Sequence, residues 1–87
     1  MIEIFTTSTC PKCVILMKWL NSIGIKYVKR VIDMDQEAET DAIMLDIYSA
    51  PALRIKNHVF RTIDIFTREN ELSDDFKKAI KNYMKRE

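Results

Sequence analysis

The chain has 87 residues, 47% of them hydrophobic and 31% charged, with 14 basic against 13 acidic side chains and a formal net charge of +1. One domain spanning 1–87 is the expectation, and a disordered chain, a collagen-like repeat and a charge-driven nucleic-acid binder are all excluded. No apolar stretch approaches the roughly 18 residues that cross a bilayer. The start, Met1-Ile2-Glu3-Ile4-Phe5, carries an acid where a signal peptide carries basic residues. A soluble, cytoplasmic protein with no membrane and no nucleic-acid partner is therefore expected.

In chain order, Ile2 to Thr6 alternates apolar and polar side chains and predicts a strand. Thr6-Thr7-Ser8-Thr9 is a hydroxyl-rich loop. Pro11 to Ile23 predicts a helix, with proline in the first turn and Gly24, the only glycine, placed to end it in a left-handed conformation. Ile25 to Ile32 predicts a second strand. Asp35 is placed to cap a helix running to about Ile47, which Ser49-Ala50-Pro51 ends. Ala52 to Lys56 and Val59 to Phe66 predict two strands joined by a turn at Asn57-His58. Ser73 caps a last helix on which Phe76, Ala79, Ile80, Tyr83 and Met84 share one side. The order β-α-β-α-β-β-α implies an α/β fold with a mixed sheet. Its first three strands are expected to be parallel or joined by crossovers, and its last two to form a hairpin.

Cys10-Pro11-Lys12-Cys13 is the strong chemical signal, a C-x-x-C at a strand–loop–helix junction. One helical turn brings both sulfurs together. Cys10, at the helix start, faces unsatisfied backbone N–H groups that favour a thiolate, whereas Cys13, one turn in, is more covered. That asymmetry suits disulfide exchange, with Cys10 attacking and Cys13 resolving; Lys12 adds a cation expected to favour the Cys10 thiolate. Zinc binding is the bland alternative, short of ligands because there is no second C-x-x-C and His58 is the only histidine.

These residues resemble the glutaredoxin-like branch of the thioredoxin fold. Ile4 to Cys13 is similar to that family's first strand and active-site loop. Ser49-Ala50-Pro51-Ala52-Leu53 is similar to the segment ending in its cis-proline, and the element order matches over essentially the whole chain. The resemblance implies a thioredoxin fold, with a four-stranded mixed sheet flanked by three helices. It implies a thiol–disulfide oxidoreductase whose catalytic residues are Cys10 and Cys13. Thr9, Pro11, Lys12, Ala50 and Pro51 would contact substrate, with a cis Pro51 beside Cys10 and the Ala50 backbone pairing with an extended thiol substrate.

Departures from the family pattern bear on the electron donor. Thr7 stands where glutathione-using members usually carry Lys, and Lys12 where they often carry an aromatic. Thr67-Arg68-Glu69-Asn70-Glu71 replaces their Gly-Gly-Asp, so glutathione is expected to be a poor partner. The resemblance then points to glutaredoxin-like electron carriers reduced by a thioredoxin reductase, some of which serve ribonucleotide reductases. The expectation is a monomer with no bound cofactor, taking electrons from a thioredoxin reductase or the glutathione system and passing them to protein disulfides. The alternative is an iron–sulfur or metal carrier formed by a dimer through the same thiolates.

Other residues have structural readings. Trp19 is expected in core or half-exposed packing, and Tyr48 in packing rather than in the substrate groove. Asp33 and Asp35 read as caps, and Met17, Met34, Met44 and Met84 as gap-fillers. The basic set Lys26, Lys29, Arg30, Arg54, Lys56 and Arg61 reads as protection of a sheet edge.

Overall fold

β1 (Ile2–Thr6) lies inside a four-stranded sheet of order β2-β1-β3-β4, formed with β2 (Val28–Val31), β3 (Ala52–Ile55) and β4 (His58–Phe60). The computed structural model describes residues 1–85, so the final two positions of the expected 1–87 domain lie outside the described residues. β2 runs parallel to β1, with Thr6 opposite Val31, while β3 runs antiparallel to β1, with Ile4 opposite Leu53. β4 pairs antiparallel with β3. The parallel expectation thus holds for β2 alone, and the sheet is mixed.

The pleat of β1 divides the core. Ile2 and Ile4 face α1 (Pro11–Ser22) and the C-terminal helix, packing with Leu16, Leu20, Phe76 and Ile80. Phe5 faces the other way, with Ala52, with Ala42 on α2 (Gln36–Met44) and with Ile47 beyond its end. On Phe5's face the polar positions are also matched. Glu3 accepts from Arg30 at 2.6 Å and from Arg54 at 3.4 Å; Arg30 also reaches Asp41 at 2.7 Å and lies 5.4 Å from the Phe5 ring centroid. The Asp41 hydrogen bond is the chief reason the Arg30 guanidinium holds its proton even more firmly than usual. The expected basic edge is therefore broken up: Arg30 and Arg54 fold onto Glu3, Arg61 donates to Leu45 O and Asp46 O, and Lys26, Lys29 and Lys56 are exposed.

Helix ends account for two shifts from the expected boundaries. After α1, the N–H of Ile25 bonds Leu20 O and that of Gly24 bonds Asn21 O, with Gly24 at φ 73°. After α2, the N–H of Ile47 bonds Ala42 O and that of Asp46 bonds Ile43 O, with Asp46 at φ 57°. These are two copies of one left-handed cap. Each buries the isoleucine that follows it, so Ile25 belongs to a cap rather than to β2, and α2 stops at Met44 rather than at Ile47. Asp35 caps α2 as expected, accepting from Glu37 N at 3.0 Å. The exposed Met34, Met44 and Met84 are not gap-fillers, whereas Met17 packs on the core.

The larger correction concerns the fourth strand, which ends at Phe60 instead of Phe66. The segment after it turns into a short helix, α3 (Thr62–Ile65), and the last helix becomes α4 (Asp74–Lys85). Asp64 drives this: its carboxylate accepts from Arg61 N at 2.9 Å, while its own N–H bonds Arg61 O. A strand would put Ile63 and Ile65 on the same face, but Ile63 is 84% exposed and Ile65 0%. The flanking elements are thus four helical segments, not three. The hairpin turn is also displaced by one residue, to Lys56-Asn57 between the paired Ile55 and His58, with Lys56 at φ 54°. Ser73 caps α4 as expected, its Oγ accepting from Phe76 N at 3.4 Å.

Candidate active site

Leaving β1, the chain crosses a hydroxyl-rich loop and enters α1 at its N-cap, Cys10. The Cys10 Sγ accepts from Cys13 N at 3.1 Å, so a sulfur takes the place of the usual capping oxygen. Pro11 occupies the first helical turn, where it forfeits no hydrogen bond. Cys10 and Cys13 are joined in a disulfide, with Cα atoms 5.2 Å apart. Cys10 is half-buried and Cys13 is 1% exposed, so a solvent-borne reactant meets Cys10 first.

Pro51 is fully buried and follows a cis peptide bond from Ala50, as the resemblance implies. Its carbonyl accepts from Thr62 Oγ1 at 2.8 Å. Ala50 is half-buried, and among the described residues its N–H and C=O have no protein partner. Thr9 and Pro11 are exposed. The Lys12 Nζ stands over the Phe66 ring, 5.6 Å from the centroid.

Two residues near the site were misread in the sequence. Asp33 is not a helix cap: its carboxylate accepts from Ser8 N at 2.9 Å and from Ser8 Oγ, tying the loop before Cys10 to the end of β2. The Ser8 hydroxyl, more than any other group, holds the Asp33 carboxyl below its ordinary range. No local signal reveals a pair 25 positions apart. Tyr48 is not packed but 83% exposed, its OH donating to Asp46 Oδ1 at 3.1 Å; that bond raises its own titration point. Trp19 is half-buried, its ring centroid 5.9 Å from that of Phe76.

Among the described residues, no three His, Cys, Asp or Glu side chains gather where a metal would bind, and no helix is long and apolar enough to cross a membrane. A separate apolar hollow of about 360 Å³, between Met1, Tyr27, Ile55 and Tyr83, contains neither cysteine.

A four-stranded mixed sheet with a disulfide at the start of α1 and a cis-proline before β3 defines a thioredoxin-fold protein. The glutaredoxin family profile matches residues 2–60, more than half the chain, and the protein belongs to that family. Among solved structures it is similar to the thioredoxin-like protein BC3987. The match has 22% identity and a TM-score of 0.73, and covers 92% of this chain and 99% of that one. A threonine-to-alanine mutant of BC3987 matches at 21% identity and a TM-score of 0.72, over 91% and 96% of the two chains. At that identity the likeness concerns the fold alone. No curated protein matches the sequence. The cysteine pair within this fold fits thiol–disulfide oxidoreductase chemistry.

Proposed function

We propose that this protein is a two-electron carrier that reduces disulfides in other proteins through its Cys10–Cys13 pair. The observation that carries the reading is the asymmetry of the pair: a half-buried Cys10 Sγ at a helix N-terminus, held by the Cys13 N–H at 3.1 Å, against a covered Cys13. In the reduced protein the Cys10 thiolate attacks one sulfur of a substrate disulfide. The substrate S–S bond breaks, a Cys10–substrate disulfide forms, and the released substrate thiolate takes up a proton. Cys13 then loses its proton and attacks Cys10 Sγ, expelling the second substrate thiolate, which is protonated in turn. Two electrons have passed to the substrate, its two protons coming one from Cys13 and one from solvent, and Cys10–Cys13 is a disulfide. A dithiol donor reverses these steps. The open Ala50 N–H and C=O support main-chain pairing with an extended substrate segment during the exchange.

The donor we favour is a thioredoxin reductase rather than glutathione. Thr67-Arg68-Glu69-Asn70-Glu71 spends its own N–H groups internally: Glu69 N and Glu71 N bond Thr67 Oγ1, Thr67 N bonds Glu71 O, and Asn70 N bonds Thr67 O. Little backbone is left there to cradle a small carboxylate. The reading of the pair as a metal carrier in a dimer is disfavoured because Cys13, at 1% exposure, is not presented to a second chain. A monomer acting in the cytoplasm on protein disulfides, with an oxidised ribonucleotide reductase among the candidates, completes the proposal.

The test incubates oxidised protein anaerobically with NADPH and either thioredoxin reductase or glutathione with its reductase, then counts alkylated thiols by mass. Two new thiols with thioredoxin reductase and slow reduction by glutathione are expected. With a protein disulfide as substrate, Cys10→Ser abolishes reduction and Cys13→Ser accumulates a mixed disulfide. Turnover retained in Cys10→Ser would overturn the reading.

A further inference from the structure

The short helix α3 is fastened through Thr62 to the cis-proline segment and, through its N-cap Arg61, to the cap of α2. Thr62 Oγ1 donates to Pro51 O and lies 3.0 Å from Ser49 Oγ, and the Arg61 guanidinium donates to Leu45 O at 2.9 Å and to Asp46 O at 3.3 Å. These bonds hold a groove of about 330 Å³ open between the start of α1 and α3, lined by Lys12, Ser49, Thr62, Ile63, Phe66 and Arg68. The groove starts two positions after Cys10.

Its chemistry is one-sided. Lys12 and Arg68 are the charged residues that line it, and both are cations. Lys12 rests on the Phe66 ring, and Arg68 is exposed and makes no ion pair among the described residues. Because the 67–71 loop uses its N–H groups on itself, an anion here is met by long side chains and not by a backbone cradle. At the edge of the groove Ile63, which lines it, is 84% exposed, and Tyr48, the chain neighbour of Ser49, is 83% exposed, so both present apolar surface to solvent. Two cations inside and two apolar side chains at the rim fit a stretch of polypeptide better than a single small anion.

We propose that this groove selects protein disulfides whose flanking segment carries an acidic side chain, seated between Lys12 and Arg68, and an apolar side chain against Ile63. The inference rests on the oxidoreductase reading and adds its substrate class. The occupant is a polypeptide that runs past Ala50 with its disulfide at Cys10.

Its test uses synthetic peptides with one disulfide flanked by Glu, Gln or Lys, reduced by the full chain at low and high salt. A preference of about threefold to tenfold for Glu over Gln is expected, expressed mainly in KM and shrinking with salt. Lys-flanked peptides should be poorest. Arg68→Glu should reverse the Glu–Lys order, its thermal midpoint confirming that it folds. Ile63→Ser should raise KM only for peptides with an apolar neighbour. Equal kcat/KM across the three peptides would overturn the inference while leaving the oxidoreductase intact. Failure to reduce any peptide would overturn the function itself. Glutathione disulfide matching the Glu peptide in both KM and Arg68→Glu sensitivity would overturn the polypeptide occupant.

Discussion

A thiol becomes a nucleophile only where its surroundings favour the anion, and at Cys10 those surroundings are the N-terminus of α1 and the Cys13 N–H at 3.1 Å. The loop that delivers Cys10 is itself held by Asp33 through two bonds to Ser8. Asp33→Asn loses the charge but keeps an acceptor, so Cys10 alkylation should change by only a few-fold, whereas Ser8→Ala, which removes the hydroxyl bond, should broaden the loop's amide resonances. Because the Asp33 carboxyl is depressed below 3.8 in the folded protein, its tie to Ser8 is fully present above that pH and is lost as pH falls through the lower folded value. An NMR titration should show Asp33 and the Ser8 amide moving together with one midpoint below 3.8; a midpoint at or above it would break the link. The cysteine pair was legible in the sequence because its chemistry is local: spacing, a helix start and a proline lie within four residues. Asp33–Ser8 was not, since it depends on a parallel pairing that brings the end of β1 beside the end of β2. The contact of Lys12 with the Phe66 ring was not legible for a related reason, the two being far apart along the chain.

At the scale of elements, the same cap ends α1 and α2, yet only the first was readable. Gly24 advertises a left-handed residue, and Asp46 in the same role does not. Nothing lies within 4 Å of a Cβ added at Gly24, so Gly24→Ala tests the backbone alone and should cost about 1 kcal/mol by chemical denaturation. A cost near zero would show that the cap carries no conformational strain. The short helix α3 escaped notice because Val59, Ile63 and Ile65 mimic strand alternation while the deciding contact is the reciprocal pair of bonds between Asp64 and Arg61. Its fastening to the cis-proline segment is equally testable. Thr62→Val keeps the shape but deletes the donor to Pro51 O, and a loss of about 1 kcal/mol is expected, with faster exchange of the Ile65 and Phe66 amides, which bond Arg61 O and Thr62 O. Unchanged exchange there would detach α3 from the site.

Across the whole molecule, one sheet separates two unequal cores, and the larger is organised around aromatic contacts on α4. Phe76 meets Phe60 edge-on at 5.2 Å and Trp19 at 5.9 Å. Phe76→Ala should cost about 3–5 kcal/mol, a large share of the roughly 5–15 kcal/mol that holds a domain together, and a midpoint shift of only a degree or two would contradict this packing. The Cys10–Cys13 bridge, closing a separation of only 3 residues, adds little of the chain-entropy stabilisation that structural disulfides give. On the proposed function its value lies in being made and broken. The most direct test of that claim is the pH dependence of alkylation of each thiol in the reduced protein, followed by mass. The account predicts that Cys10 reacts first, with a midpoint well below the ordinary thiol value of about 8.5, while Cys13 stays protected at neutral pH. Equal rates at the two thiols, or Cys13 reacting first, would contradict it.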